Sequence, residues 1–390
     1  MENFIYHTPT KVYFGKKQEE KIGLILAELH AQKVLIHYGK KSIIQSGLLS
    51  IIKRQIQAQN ILIFELGGVE PNPKLSLVEK GVKMVQENHI DFVLAIGGGS
   101  VIDSAKLICA GACVTHSPWL FSVGQKSPLK TIPLGVILTI SASGSDMSNS
   151  CVITNEKTKE KRGFTSELNR PKFAILNPEL TYTVSPYQTA CGIVDIMMHT
   201  LERFISNTPE TNLTDELAIG LLKAVYKAGE IAIKDPTNYE ARATLLWANS
   251  LSHNGLTSCG RTYVMSVHQL EHELSGMFDE IAHGAGLAIL WPAWAKYAYP
   301  SAKERFLKIS YEFLNIEPSH SIENDILLGI EKLKSYFQSI GMPTTLHEVN
   351  VTKKDIQQLA INVTFQHQRV IHDVIEIDEE MAYKIYFEAL

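Results

Sequence analysis

The chain has 390 residues, of which 45% are hydrophobic and 20% charged, as is ordinary for a globular protein. A chain of this length buries a core large enough to be stable without disulfide cross-links. A net charge of −4 argues against the basic surface of proteins that bind nucleic acids or anionic membranes. Five cysteines are too few, and odd in number, for a disulfide framework. The first residues carry no basic segment followed by an apolar run, and no stretch of 18 apolar residues occurs. We therefore expect a cytoplasmic protein with no membrane segment.

The first half of the chain alternates short apolar runs with longer segments of helical periodicity. Five runs are predicted as strands: 11–14, 33–38, 61–66, 91–96 and 134–138. Segments with a 3.6-residue apolar period, such as 42–57 and 74–88, lie between them. This alternation predicts a parallel sheet covered on both faces, and ligands of such sheets bind beyond the carboxyl ends of the strands.

The second half is predicted to be helical almost throughout. Segments 212–231, 239–254 and 322–340 carry the helical apolar period, and Ser185-Pro186 resembles a helix start. We predict an α/β domain over residues 1–184 and an all-helical domain over residues 185–390.

Three polar segments follow predicted strands in the α/β half. Gly97-Gly98-Gly99-Ser100 opens a helix, where glycines let backbone amides approach a pyrophosphate, although a tight turn explains the same residues. Asp103 either caps this helix or touches a nicotinamide. The segment 139–146 is rich in small hydroxyl residues, which suit contact with a cofactor or a plain loop. Asn72, between two prolines, is a ligand-binding or a turn residue.

Two pairs of ionisable residues in the helical half share an i,i+4 spacing. Asp195 with His199, and His268 with His272, would each lie on one face of a helix. Each pair alone also occurs by chance on surface helices. However, the neighbours of Asp195 are apolar, and His283 lies in another apolar stretch, so several ionisable groups would be buried together. A divalent metal would join them.

Taken together, these residues resemble the iron-containing (group III) alcohol dehydrogenase family, particularly its NADPH-dependent butanol dehydrogenase and aldehyde reductase branch. The resemblance extends over essentially the whole chain. It depends on the order and spacing of segments 7–11, 14–16, 70–73, 97–103, 139–146, 192–199 and 279–284. It implies a dehydroquinate synthase-like architecture, in which a dinucleotide-binding α/β domain precedes a helical metal- and substrate-binding domain.

The resemblance also implies the site residues. The metal, Fe(II) or Zn(II), would be bound by four side chains: Asp195, His199, His268 and His283. His272 would be catalytic, lying near the substrate and relaying a proton. The implied cofactor contacts are Asn72, Gly98, Gly99, Ser100, Asp103, Thr139, Ser143 and Lys161.

Cofactor choice depends on the residues that follow the second strand. NAD-preferring relatives often carry an Asp there, which binds the ribose 2′-hydroxyl and repels a 2′-phosphate. Here the position holds Gly39, followed by Lys40, Lys41 and Ser42. Two cations and a hydroxyl at a helix start suit a phosphate, so we predict NADP(H) over NAD(H). Two solvated surface lysines are the alternative.

The chain departs from the family pattern at three positions. Asp146 stands where Glu is usual, Ser143 where Thr is commoner, and Met265 where this branch has Trp. None is a predicted metal ligand, but the exchange at Met265 bears on the substrate pocket.

The predicted function is reversible hydride transfer between NADP(H) and a primary alcohol or aldehyde, such as butanol and butanal, by a homodimer. The partner is a small molecule, with no nucleic acid or membrane. One alternative is a zinc glycerol or polyol dehydrogenase-like enzyme. Another is a dehydroquinate synthase-like lyase, which would need a basic cluster for a phosphate-bearing substrate. No such cluster surrounds His268, whose neighbours are Gln269, Leu270 and Glu271.

Overall fold

The computed structural model describes all residues, 1–390, and they form two compact units. One unit comprises residues 7–183, and the other comprises residues 1–6 together with residues 184–390. None of the helices combines the length and the apolar character that crossing a membrane requires.

The first unit is built on a parallel sheet of six strands. Its strands are β1 (Lys11–Phe14), β2 (Lys33–Tyr38), β3 (Leu62–Leu66), β4 (Phe92–Gly97), β5 (Leu134–Leu138) and β8 (Phe173–Leu176). Their order across the sheet is β1-β8-β5-β4-β2-β3. The predicted parallel sheet is confirmed, with β8 as an additional strand between β1 and β5.

Helices connect the strands, and a separate hairpin follows β5. The helices are α1 (Ile22–Glu28), α2 (Ser42–Gln45), α3 (Leu48–Gln57), α4 (Leu75–Asn88), α5 (Gly99–Gly111) and α6 (Trp119–Ser122). Apolar side chains of β2 and β4 pack with those of α1 and α3 in one buried cluster. The hairpin consists of antiparallel β6 (Ser150–Asn155) and β7 (Glu160–Thr165), which the sequence did not predict.

The second unit is mainly helical. Its helices are α7 (Pro186–Phe204), α8 (Asn212–Lys234), α9 (Tyr239–His253), α10 (Ser266–Met277), α11 (His283–Ala298), α12 (Lys303–Lys308), α13 (Ile322–Ser339), α14 (Lys353–Val363) and α15 (Glu379–Glu388). A two-stranded hairpin, β9 (Ile371–His372) with β10 (Glu376–Ile377), also belongs to this unit. Helices form the core of this unit, as predicted, and the hairpin is its only departure from an all-helical domain.

Helix α7 lies at the centre of the helical unit. The Ser185 hydroxyl caps it by accepting a hydrogen bond from the Gln188 amide, and Pro186 occupies its first turn. Every residue from 189 to 204 is buried. Because α7 is buried on all sides, the polar side chains that it carries are held away from water.

The first six residues belong to the helical unit, not to the α/β unit as the predicted boundary has it. The Glu2 carboxylate accepts hydrogen bonds from the Thr208 and Thr262 hydroxyls, and the Glu2 amide donates to the Gly260 carbonyl. Val184 also falls in the helical unit. These contacts connect residues more than 200 positions apart, which local sequence patterns do not report.

A buried ionic cluster centred on Asp215 connects three segments of the helical unit. Its carboxylate accepts hydrogen bonds from Arg305 at 2.7 Å, from Arg261 at 2.8 Å and from the Thr211 hydroxyl at 2.7 Å. Burial alone would raise the pKa of Asp215, but the Thr211 hydroxyl and the Arg305 guanidinium hold it below its ordinary value. Removing this carboxylate would leave two buried guanidinium groups without a counter-charge.

We therefore expect Asp215→Asn to lower the free energy of unfolding by about 3–5 kcal/mol, the usual cost of breaking a buried ion pair. Because the pKa of Asp215 is lowered on folding, its charge stabilises the fold above about pH 4, and this contribution is lost as the pH falls further. Urea denaturation at pH 7 and pH 3 measures both effects. The control is Glu216→Gln. The Glu216 side chain is 66% exposed, and its carboxylate lies 3.7 Å from Lys308 Nζ. Equal stability of the two variants at pH 7 would contradict the assignment.

Candidate active site

One carboxylate oxygen in the helical unit faces three imidazoles. Asp195 Oδ1, on α7, lies 3.3 Å from His199 Nδ1 one turn further along. It lies 3.6 Å from Nε2 of His268 in the first turn of α10, and 3.8 Å from Nε2 of His283, the first residue of α11. The structure thus brings together the four side chains predicted as metal ligands.

These side chains fit a divalent metal. Asp195, His199 and His268 are buried, and their ligand atoms lie within 4.8 Å of one another. Asp195 Oδ1, His199 Nδ1 and His268 Nε2 have no hydrogen-bond partner. A buried polar atom left in this state costs about 1–3 kcal/mol, so three together need an explanation. A cation bound by one carboxylate and several imidazoles would satisfy all three, and this donor set suits Fe(II) or Zn(II).

Two further carboxylates accept hydrogen bonds from the Nδ1 atoms of His268 and His283. Glu202 accepts a hydrogen bond from His268 Nδ1 and another from the Val267 amide at 2.7 Å. Glu271 accepts one from His283 Nδ1. Such outer carboxylates fix the orientation of a ligating ring and leave its other nitrogen for the metal. The sequence reasoning missed both, although Glu202 lies seven residues after Asp195, on the same helix face, and Glu271 lies three after His268.

The surroundings set the protonation of the rings in opposite directions. Burial, together with the neighbouring His253 and His268, holds the pKa of His199 well below its ordinary value, so this ring keeps a free lone pair. For His268, burial acts to lower the pKa, but the carboxylates of Glu202 and Asp195 raise it to about 9. A metal that binds His268 would displace a proton from it.

His272 lies beside this cluster. It is half-buried, and its ring centroid is 5.6 Å from that of His283. Its ligand atom lies within 4.8 Å of those of Glu271 and His283, but it does not belong to the group around Asp195. Met265 stands immediately before α10, whose first turn carries His268.

In the α/β unit, the sheet order brings the predicted cofactor segments to one edge. Strands β5, β4 and β2 are neighbours and run parallel. Their carboxyl ends therefore meet, and each is followed by one of three segments: 139–143, 98–103 and 39–42. This edge is where parallel sheets bind their ligands.

Gly98 and Gly99, where β4 leads into α5, leave a space that larger side chains could not enter without a clash. A Cβ on Gly98 would lie 2.2 Å from Ile140 Cγ2, and one on Gly99 would lie 2.2 Å from Ser143 Oγ. The Gly99 and Ser100 amides precede the first hydrogen bonds of α5, which the Val101 and Ile102 amides donate to the Gly98 carbonyl. This narrow turn with exposed amides fits the diphosphate of a dinucleotide.

The β6–β7 hairpin brings Asn72 towards Lys161. Asn72 is buried with a φ of 52° in the turn before α4. Two residues on, Lys74 bridges to Thr154 of β6, whose amide donates to the Pro73 carbonyl at 2.9 Å. Thr154 pairs in register with Lys161 of β7, which is also buried. The hairpin thus connects two predicted cofactor contacts that are about ninety residues apart in the chain.

Asp103 is held by a buried polar network, and its side chain does not cap α5. It accepts hydrogen bonds from the Ser145 hydroxyl at 2.5 Å and the Val152 amide at 2.9 Å. Burial raises the pKa of Asp103, and the positive charge of Lys106 opposes that rise. Lys106, which is fully buried, donates to Ser145 Oγ at 2.8 Å and to the Ser150 carbonyl at 2.8 Å. The sequence reasoning missed Lys106, a lone cation in an otherwise apolar helix.

The residues after β2 are exposed. Lys40 Nζ lies 2.5 Å from the Glu70 carboxylate, and Lys41 directly precedes α2, which begins at Ser42. Lys40 therefore already has an acidic neighbour at the position where a phosphate was predicted.

The chain thus joins a parallel sheet whose glycine-rich turn suits a dinucleotide to a helical unit whose buried Asp–His cluster suits a divalent metal, a combination that fits a nicotinamide-dependent dehydrogenase. Residues 9–178 match the family model described as iron-containing alcohol dehydrogenase, and residues 189–390 match its C-terminal counterpart. The chain belongs to the iron-containing alcohol dehydrogenase family and is an NAD(P)-dependent alcohol dehydrogenase.

Relatives with different cofactors match nearly the whole chain. It is 39% identical over 361 residues to the NADH-dependent butanol dehydrogenase A of Clostridium acetobutylicum, covering 92% of both chains. It is 34% identical over 362 residues to the NADPH-dependent aldehyde reductase YqhD of Escherichia coli, again covering 92% of both. The crystal structure of an NADH-dependent butanol dehydrogenase A from Thermotoga maritima superposes with a TM-score of 0.96 and 36% identity, covering 100% of this chain and 99% of that one.

The network around Asp103 predicts that the stability of the fold depends on Lys106. We expect Lys106→Met to lower the free energy of unfolding by about 3 kcal/mol, because it leaves the Asp103 carboxylate, only 16% exposed, without its counter-charge. The pKa of Asp103 should rise further in this variant. Thermal and urea denaturation measure the stability. Lys80→Met, at an exposed position on α4, is the matched control. A Lys106→Met protein as stable as this control would show that the buried charge is dispensable.

Proposed function

We propose that the protein is a metal-dependent alcohol dehydrogenase and aldehyde reductase that transfers hydride between NADP(H) and a primary alcohol or its aldehyde, such as butanol and butanal. The observation that carries the proposal is the set of buried, unpartnered ligand atoms on Asp195, His199 and His268. The names of the relatives, butanol dehydrogenase and aldehyde reductase, support the substrate class.

In this proposal, Asp195, His199, His268 and His283 hold one divalent metal, Fe(II) or Zn(II). The chemistry that a bound divalent metal supplies is Lewis-acid polarisation of an alcohol or carbonyl oxygen. Glu202 keeps the His268 ring in place, as Glu271 does for His283. Because these groups are fixed before substrate arrives, little reorganisation is needed during the reaction.

His272 carries the proton. It lies beside His283 and is half-buried, so solvent can exchange protons with its ring. An imidazole can both donate and accept a proton, which suits proton transfer in both directions of the reaction. In aldehyde reduction, His272 donates a proton towards the new hydroxyl; in alcohol oxidation it accepts one.

The residues at the sheet edge hold the cofactor, whose nicotinamide supplies or accepts the hydride. The amides of Gly98, Gly99 and Ser100 bind the diphosphate, with the segment from Thr139 to Ser143 packed against them. Asp103 is fixed by its network and contacts the nicotinamide side. Asn72 and Lys161 contribute from the turn before α4 and from the hairpin.

The preference for NADP(H) follows from the residues after β2. Gly39 offers no carboxylate to a ribose 2′-hydroxyl, whereas Lys41 and Ser42 can bind a 2′-phosphate and Lys40 lies beside them. The pairing of Lys40 with Glu70 weakens this preference, since Glu70 would repel a phosphate. Some relatives are named as NADH-dependent and others as NADPH-dependent, so the cofactor preference is argued from the residues of this chain.

Two further expectations belong to the proposal. We propose that the protein works in the cytoplasm, in keeping with its five free cysteines. We also propose that it forms a homodimer, as the family resemblance implies.

His268→Ala tests the metal assignment. We expect the variant to lose its metal and to lower turnover by at least about 100-fold, beyond the 10–100-fold cost typical of losing an outer partner. NADPH binding should be spared, because His268 lies in the helical unit. Elemental analysis, steady-state kinetics and fluorescence titration with NADPH measure the three quantities. The control is His320→Ala, which changes an exposed histidine. Unchanged metal content and activity in His268→Ala would refute the metal site.

Gly39→Asp tests the cofactor preference. The change fits sterically, because a Cβ at Gly39 meets only the Val69 carbonyl, at 3.7 Å. We expect the ratio of kcat/KM for NADPH to that for NADH to fall by about tenfold or more, equivalent to about 1.4 kcal/mol. Gly220→Asp, on an open face of α8, is the control for adding a carboxylate elsewhere. A wild-type enzyme that already prefers NADH would overturn the NADP(H) proposal without affecting the metal site.

A further inference from the structure

The three imidazoles around Asp195 are not held in the same way. His268 and His283 each donate Nδ1 to a buried outer carboxylate, Glu202 and Glu271 respectively. At His199 it is Nδ1 that faces Asp195 Oδ1, at 3.3 Å, and no carboxylate accepts a hydrogen bond from either nitrogen of this ring. Since ligating histidines are normally oriented by an outer partner, something else has to orient this ring.

The His199 ring is contacted by two other imidazoles. The His253 ring centroid lies 4.1 Å away, with the ring planes tilted by 37°. That of His268 lies 4.5 Å away, tilted by 28°. Of the two, only His253 is outside the group of side chains whose ligand atoms lie around Asp195. His253 therefore contacts a proposed metal ligand without belonging to the group of ligand atoms itself.

The backbone beneath this contact is fixed by Arg203. The buried guanidinium of Arg203 donates to the His199 carbonyl at 2.5 Å and to the Ser252 carbonyl at 3.3 Å. It thereby joins α7, at the residue that carries the ligand, to the last turn of α9, which ends at His253. The two rings are thus held in register by a buried cross-link between their own helices.

We propose that His253 is a positioning residue for His199, and that ring packing replaces, at this ligand, the carboxylate partner of the other two imidazoles. The inference rests on the proposed function, because it presupposes that His199 binds the metal. Close contact with a second ring restricts rotation of the His199 ring about its side-chain bonds. The property that matters at position 253 is therefore the ring, not its nitrogen atoms.

Three variants of the full-length protein separate these properties. His253→Phe keeps a flat ring without nitrogen, whereas His253→Leu and His253→Gln remove the ring and keep similar bulk. Affinity for Zn(II) is measured by competition with a chromophoric chelator, and the Co(II)-substituted proteins are compared by their visible absorption spectra. Circular dichroism confirms that each variant is folded, and His253→Gln replaces His253→Leu if the latter does not fold.

We expect His253→Leu and His253→Gln to bind Zn(II) roughly 10- to 100-fold more weakly and to show altered Co(II) spectra, as when an outer partner is lost. His253→Phe should stay within about threefold of the wild type, since an aromatic ring packs in the same way. NADPH affinity should not change in any of them. His320→Phe, which makes the same exchange at an exposed position, is the matched control.

The outcomes distinguish this inference from the proposed function. If the ring-free variants bind Zn(II) as tightly as the wild type, His253 does not position His199. If His253→Phe is as weak as His253→Leu, the nitrogens matter and the ring-packing argument is wrong. If the wild type binds Zn(II) tightly in either of these cases, the metal site itself still stands. A wild type that binds no divalent metal would instead overturn the proposed function, and this inference with it.

Discussion

The fold of the helical unit is organised around a carboxylate that has been taken out of water. Asp195 lies in the middle of a helix that is buried on all sides, and its Oδ1 faces three imidazoles. An isolated buried charge is strongly unfavourable, so the side chains around it must supply compensating charge or bring in something that does. The arrangement of α7, α10 and α11 follows from this need, because each presents an imidazole to the same oxygen.

Much of the fold could be predicted because parallel sheets leave a strong local pattern. Apolar runs that alternate with helical segments predicted five of the six strands, and helical periodicity predicted the second half. The β6–β7 hairpin was missed because β7 carries charged residues, such as Lys161, that do not alternate clearly with apolar ones. The place of residues 1–6 was also missed, since it depends on Glu2 meeting residues far along the chain.

The candidate site was predictable to the extent that helix geometry connects its parts. The spacing of Asp195 and His199 extends by one more turn to Glu202, so the same reasoning carried further would have included that carboxylate. Lys106 left a weaker signal, a single cation among apolar residues. The contact of His253 with His199 left none, because no pattern in either helix reports which residue of α9 meets which residue of α7.

The contacts of Glu2 bear on how the chain matures during synthesis. Its hydroxyl partners, Thr208 and Thr262, lie 206 and 260 residues further along. Because residues 1–6 precede the α/β unit in the chain, they are synthesised before it but can form these bonds only after it has emerged. Contacts of such long sequence separation form late, because the loop they close is costly in entropy.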